Sequence, residues 1–155
     1  MLFNYYRYDE NGNPVDIRLV DNQINRVASP GLDLSYLLYS SVNGPLRRKF
    51  LDIFLSTYQT SYSNVLAGLG ELPGYSFSQL KEEYVKKLGF GMTIGLAFGS
   101  TNLAEGDEVF DIMEEDIDKA MSSFQENNKK LMNKNPLMKP RFLDIVNEMV
   151  DYKII

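Results

Sequence analysis

Ile17-Arg18-Leu19-Val20-Asp21-Asn22-Gln23-Ile24-Asn25-Arg26-Val27-Ala28-Ser29-Pro30-Gly31-Leu32-Asp33-Leu34 is the stretch on which the fold turns. An apolar, β-branched run delivers an aspartate and two amides. A short loop ends in Ser-Pro-Gly, and a second aspartate opens an amphipathic segment. A carboxylate at a strand end has its backbone fixed by the sheet and its side chain free to face a ligand, which suits a metal. The plainer account is structural. Asp is frequent after strands because it makes turns, and Asp33 can cap a helix over Leu34–Ser41 by accepting from its orphan N–H groups. On spacing alone the structural account is favoured for both aspartates.

Upstream, Leu2–Arg7 is aromatic and suits a strand. Asp9-Glu10-Asn11-Gly12-Asn13-Pro14 is turn chemistry, and Val15–Val20 alternates as a half-buried strand does. Asp9, Asn11 and Asn13 do not make a calcium loop, because the sixth position is Pro14 and the twelfth is Val20.

Downstream the period changes from two to 3.6. Leu34–Val42 reads as a buried helix, broken by Asn43-Gly44-Pro45. Leu46–Leu69 reads as a long helix, with Leu46, Phe50, Ile53, Phe54, Tyr58, Tyr62 and Val65 as its core stripe and Gly68 and Gly70 as its end. Ser76 is the expected cap of a surface helix over Leu80–Lys87. Leu88–Phe98 is apolar on all sides. With Gly91, Gly95 and Gly99 spaced by four, it reads as a helix crossing the core whose glycines admit a close neighbour. It is well short of the roughly 20 residues that span a bilayer. The acids of Glu105–Asp118 share their segment with Val109, Phe110, Ile112, Met113 and Ile117, so they read as a solvated face rather than a cation site. Asn127–Lys134 reads as a loop or fraying end. Pro136 and Pro140 precede a last amphipathic helix, Arg141–Val150, with Phe142, Ile145, Val146 and Met149 inward.

Composition narrows the function classes. The 155 residues are 44% hydrophobic, which fits an ordered chain. A net charge of −5 argues against nucleic acid as a partner. Without cysteine there is no disulfide framework and no thiolate zinc site. No signal peptide is visible, so a cytoplasmic location is expected. With no histidine there is no base for a Ser or Cys nucleophile of the usual hydrolase kind.

Val20-Asp21-Asn22-Gln23, Arg26 and Ser29-Pro30-Gly31-Leu32-Asp33-Leu34, continued by Ser35-Tyr36-Leu37-Leu38-Tyr39-Ser40-Ser41, resemble a segment of the ecdysteroid-kinase-like (CHK kinase-like) family, relatives of choline and aminoglycoside kinases. The Tyr8–Asp16 turn is similar to the hairpin that family places before its metal aspartate. The likeness covers most of the chain, strongly to about Gln59. It implies an α+β, mostly helical fold, the C-terminal lobe of a kinase-like domain with an N-terminal β-hairpin. It divides one partial domain, 1–155, into hairpin 1–21, metal and loop segment 21–33, and helical remainder 34–155.

The resemblance also implies ATP-dependent phosphoryl transfer to a hydroxyl of a small molecule, a steroid-like or amino alcohol, with Mg²⁺ bridging the phosphates. Asp21 matches the metal ligand, Gln23 would support it, and Asp33 matches an aspartate that steadies the catalytic loop. Two departures stand out. Asn22 replaces the family's phenylalanine. The family's catalytic loop, H-G-D-x-W-x-x-N, has no counterpart in a chain without histidine or tryptophan. The chain thus reads as the portion that follows the catalytic residues and the nucleotide lobe, with no catalytic residue of its own. Binding of ATP and Mg²⁺ is expected of the complete domain rather than of this chain. The alternative is a non-catalytic kinase-like module that binds a partner.

Overall fold

A computed structural model describes residues 2–20, 27–101 and 117–155. It is mostly helical, with one two-stranded antiparallel hairpin at the N-terminus. Strand β1 (Leu2–Tyr8) pairs with β2 (Pro14–Val20), Leu2 opposite Val20 and Tyr5 opposite Ile17. Asp9 organises the turn between them. Its Oδ1 accepts from the backbone N–H of Asn11 (2.9 Å) and of Asn13 (2.8 Å), and its Oδ2 from the Asn13 side chain (3.1 Å). Those bonds, the Asn13 side chain first, hold the Asp9 carboxyl below its ordinary range. Gly12, at φ +80°, supplies the left-handed residue that closes the turn.

Among the described residues six helices follow: α1 (Pro30–Ser41), α2 (Gly44–Gly68), α3 (Phe77–Lys86), α4 (Leu88–Thr101), α5 (Ile117–Lys134) and α6 (Met138–Asp151). The core forms where α1, α3 and α4 meet. Leu34, Leu38 and Tyr39 come from α1, Leu80 and Tyr84 from α3, and Leu88 and Met92 from α4, with Leu55 of α2 and Ile145 of α6 closing it. Gly91 and Gly95 of α4 act as the sequence predicts. A Cβ on Gly91 would lie 2.7 Å from the Ser35 carbonyl oxygen, and one on Gly95 would lie 2.9 Å from that of Tyr39. Both glycines therefore let α4 run parallel to α1, backbone against backbone. Each costs on the order of 1 kcal/mol of helix propensity, which the packing offsets. Among the described residues no helix is long and apolar enough to cross a membrane.

Several expectations need correction. Helix α1 begins at Pro30, four residues before the expected start, and its cap is Ser29 rather than Asp33. Pro30 has the fixed φ and missing N–H that suit the first helical position, so the helix is under way before Asp33 is reached. Second, the stripe of α2 is turned. Leu46, Ile53 and Val65 are 46%, 57% and 62% exposed, whereas Leu55 and Arg47 are buried. The half-buried Leu51, Phe54 and Tyr58 pack beside Leu55. A helix of 25 residues, about 37 Å long, outruns the 12 residues of α1 and the 10 of α3, so its apolar period continues past its contacts. Third, Asn127–Lys134 is helical as the second half of α5. Strong helix formers there, and a Glu126–Lys130 pair at 2.9 Å, outweigh the amides.

Ser76 caps α3 as expected and forms a capping box. Its Oγ accepts from the Gln79 N–H (3.3 Å), and the Gln79 side chain accepts from the Ser76 N–H (2.9 Å). Helix α6 starts earlier than expected, with Pro140 inside its first turn. The acidic segment centred on residues 105–116 lies outside the described residues.

Candidate functional site

The site predicted from the sequence straddles the end of β2 and the start of α1. β2 runs to Val20, while Asp21 and Gln23 lie outside the described residues. The loop is described again from Val27, and its far end is firmly built. Ser29 Oγ accepts from the Gly31 N–H (3.3 Å) and donates to Glu83 Oε2 on α3 (2.9 Å). That bond, ahead of the Lys86 ammonium, holds the Glu83 carboxyl below its ordinary range. Gly31 is buried against the same helix, and a Cβ there would lie 2.5 Å from the Glu83 carbonyl oxygen. The Ser-Pro-Gly turn is thus pinned on α3 by one side chain and one close backbone approach.

Asp33 sits exposed in the first turn of α1, where its charge favours the positive helix end. It lies close enough to Tyr58 of α2 to push that phenol upward, after burial and Tyr62, which act more strongly. Among the described residues, no three or more Asp and Glu side chains are grouped to hold a metal ion. Of the three candidates, Asp33 alone lies among the described residues, and no described carboxylate cluster surrounds it.

A second polar cluster, not evident from sequence spacing, joins α6 to α1 and α2. Glu148 of α6 and Arg47 of α2 are buried together, 3% and 2% exposed. Glu148 Oε1 accepts from Arg47 Nη2 (2.8 Å) and Arg48 Nη1 (2.9 Å), and its Oε2 from Arg47 Nε (3.1 Å) and the Tyr39 hydroxyl (2.7 Å). Arg47 Nη1 donates to the carbonyls of Leu38 (3.2 Å) and Val42 (2.7 Å), where α1 ends. Its guanidinium lies 3.9 Å over the Tyr39 ring. Burial, then the bond to Glu148, pushes the Tyr39 phenol far up. Arg47 and Arg48 are both paired with Glu148, and Arg48 also with Asp144, so the cluster does architectural rather than chemical work. One signal for it was present: Arg47 shares a helical face with Leu51, Phe54 and Tyr58, and Glu148 lies between Ile145 and Met149.

Comparison with known proteins bears on the first site. Residues 4–71 match the profile of the ecdysteroid kinase-like family. The match takes in the hairpin, the loop, α1 and α2 and ends at the α2 cap, so it covers less of the chain than the resemblance suggested. No curated protein and no solved structure matches the chain.

Proposed function

We propose that this chain forms the C-terminal part of an ATP-dependent phosphotransferase acting on the hydroxyl of a small molecule, a steroid-like or amino alcohol. The observation that supports it is the family match over residues 4–71, which contains the strand end, the Ser-Pro-Gly turn and Asp33. In this reading Asp21 holds Mg²⁺, Gln23 supports it by hydrogen bonding, and Asp33 steadies the catalytic loop of the complete domain. Mg²⁺ would supply charge neutralisation between the phosphates. The pinned Ser29–Gly31 turn fixes one end of the loop that carries Asp21. Phosphoryl transfer depends on holding nucleophile and nucleotide in line, and one aspartate provides part of one metal site. Because Mg²⁺ keeps substrate phosphates among its ligands, the 155-residue chain by itself holds the ion weakly. The protein acts in the cytoplasm in this reading.

A second reading, a non-catalytic kinase-like module, is favoured by one observation: the chain contains no histidine and hence no H-G-D-x-W-x-x-N loop. ATP consumption separates the two. It is measured with a panel of steroid and amino alcohols, for this chain and for a longer protein in which such a loop and a nucleotide lobe precede it. The chain alone is expected to be inert. The longer protein should turn over and lose activity on Asp21→Asn with its melting temperature unchanged. An inert longer protein would favour the module, and Asp21-dependent turnover by the chain alone would overturn the two-part reading.

A further inference from the structure

We propose that α6 is a separately releasable helix, latched to the α1–α2 elbow by Glu148, so that the chain opens in two steps with α6 leaving first. The attachments of the helices differ in kind. Helices α1, α3 and α4 share most of the fully buried apolar side chains, and their backbones touch at Gly31, Gly91 and Gly95. Helix α6 and the residues that follow it run antiparallel to α4, with Ile145 of the helix at Gly95 and Ile154, past its end, at Gly89. Its buried apolar contribution is Met138 and Ile145, and the third buried side chain of the helix is Glu148.

The latch is cooperative because of its chemistry. A buried carboxylate is tolerated only while its donors are in place, and removing one leaves an uncompensated charge. Glu148 takes four donors from three residues on two other helices. Intermediate positions of α6 therefore satisfy neither side. Once released, Glu148 is solvated by water, while Arg47 keeps the Leu38 and Val42 carbonyls and the Tyr39 ring. Opening at this seam is thus compensated by hydration. Opening between α1 and α4 would expose mainly apolar surface, with no buried charge to be hydrated in return.

Amide hydrogen exchange on the 155-residue chain, followed by mass spectrometry through a series of low urea concentrations, tests this. Amides of α6 are expected to open at least about 30-fold more often than those of α3 and α4, with a smaller urea dependence, as a sub-global unit does. Glu148→Gln should speed α6 exchange by at least a further factor of about 10 and leave α3 and α4 unchanged. A single urea dependence shared by α6, α3 and α4 in the unmodified chain would overturn the proposal, and that arm stands even if the variant does not fold. So would a Glu148→Gln variant in which all helices accelerate alike, or in which α6 does not change.

Discussion

At Gly31 the chain has no room for a side chain. The atoms a Cβ would meet are the carbonyl carbon and oxygen of Glu83 and the amide nitrogen of Tyr84, all backbone and within 2.8 Å. Backbone in the middle of a packed helix does not rotate aside, so Gly31→Ala must push α1 off α3. The expected cost is about 2–3 kcal/mol, at the upper end of overpacking, read as a lower urea midpoint with an unchanged slope. A loss under about 0.5 kcal/mol would show that the turn is not pinned. Ser29 carries the other half of the anchor, and its dual bonding makes it the cap in place of Asp33. Ser29 and Asp33 are both good caps by type. The choice between them rests on Pro30 at the first helical position and on Glu83, a partner 54 residues away that no local pattern reveals.

Two helix ends were legible because their chemistry is local: the Ser76 cap of α3 and the glycine ending of α2. Helix α2 closes with the Gly70 N–H donating to Ala67 (3.1 Å) and the Glu71 N–H to Leu66 (2.9 Å), with Gly70 at φ +76°. This is the paired-bond ending that the Gly68 and Gly70 spacing anticipates. Helix α6 ends with the same two bonds, from Lys153 to Val150 (2.9 Å) and from Ile154 to Met149 (2.8 Å), but the left-handed residue is Lys153 at φ 56°. A lysine announces no helix end, so this one could not be read in advance. A non-glycine residue held there costs about 1–2 kcal/mol, part of which glycine returns through the greater freedom of its unfolded chain. Lys153→Gly is therefore expected to stabilise α6 by about 0.5–1 kcal/mol, seen as a slower exchange of the amides preceding it. Faster exchange there would mean that the Lys153 side chain holds the end by contacts of its own.

For the whole molecule, the residues a sequence reveals are those whose partners are near in the chain. Arg47 and Glu148 are 101 positions apart, so their pairing follows from the fold rather than from any motif. Asp21 and Gln23, legible by resemblance, lie outside the described residues. Helix α2 shows the same limit in its energetics. The apolar period assigns Ile53 and Val65 to the core alongside Phe54 and Tyr58. The structure instead leaves Ile53 57% and Val65 62% exposed and buries Leu55 completely. These assignments predict opposite outcomes for one helix. An exposed apolar side chain has little transfer energy to lose, so Ile53→Lys and Val65→Lys should each change stability by no more than about 0.5 kcal/mol. They should also lower the binding of an apolar dye, because each removes an exposed apolar side chain. Leu55→Ala removes a fully packed side chain and should cost about 2–5 kcal/mol. Denaturant unfolding of the three variants side by side decides the matter. If either lysine costs as much as the alanine, the face of α2 has been assigned wrongly, because a charge would then have been forced into a site that water does not reach.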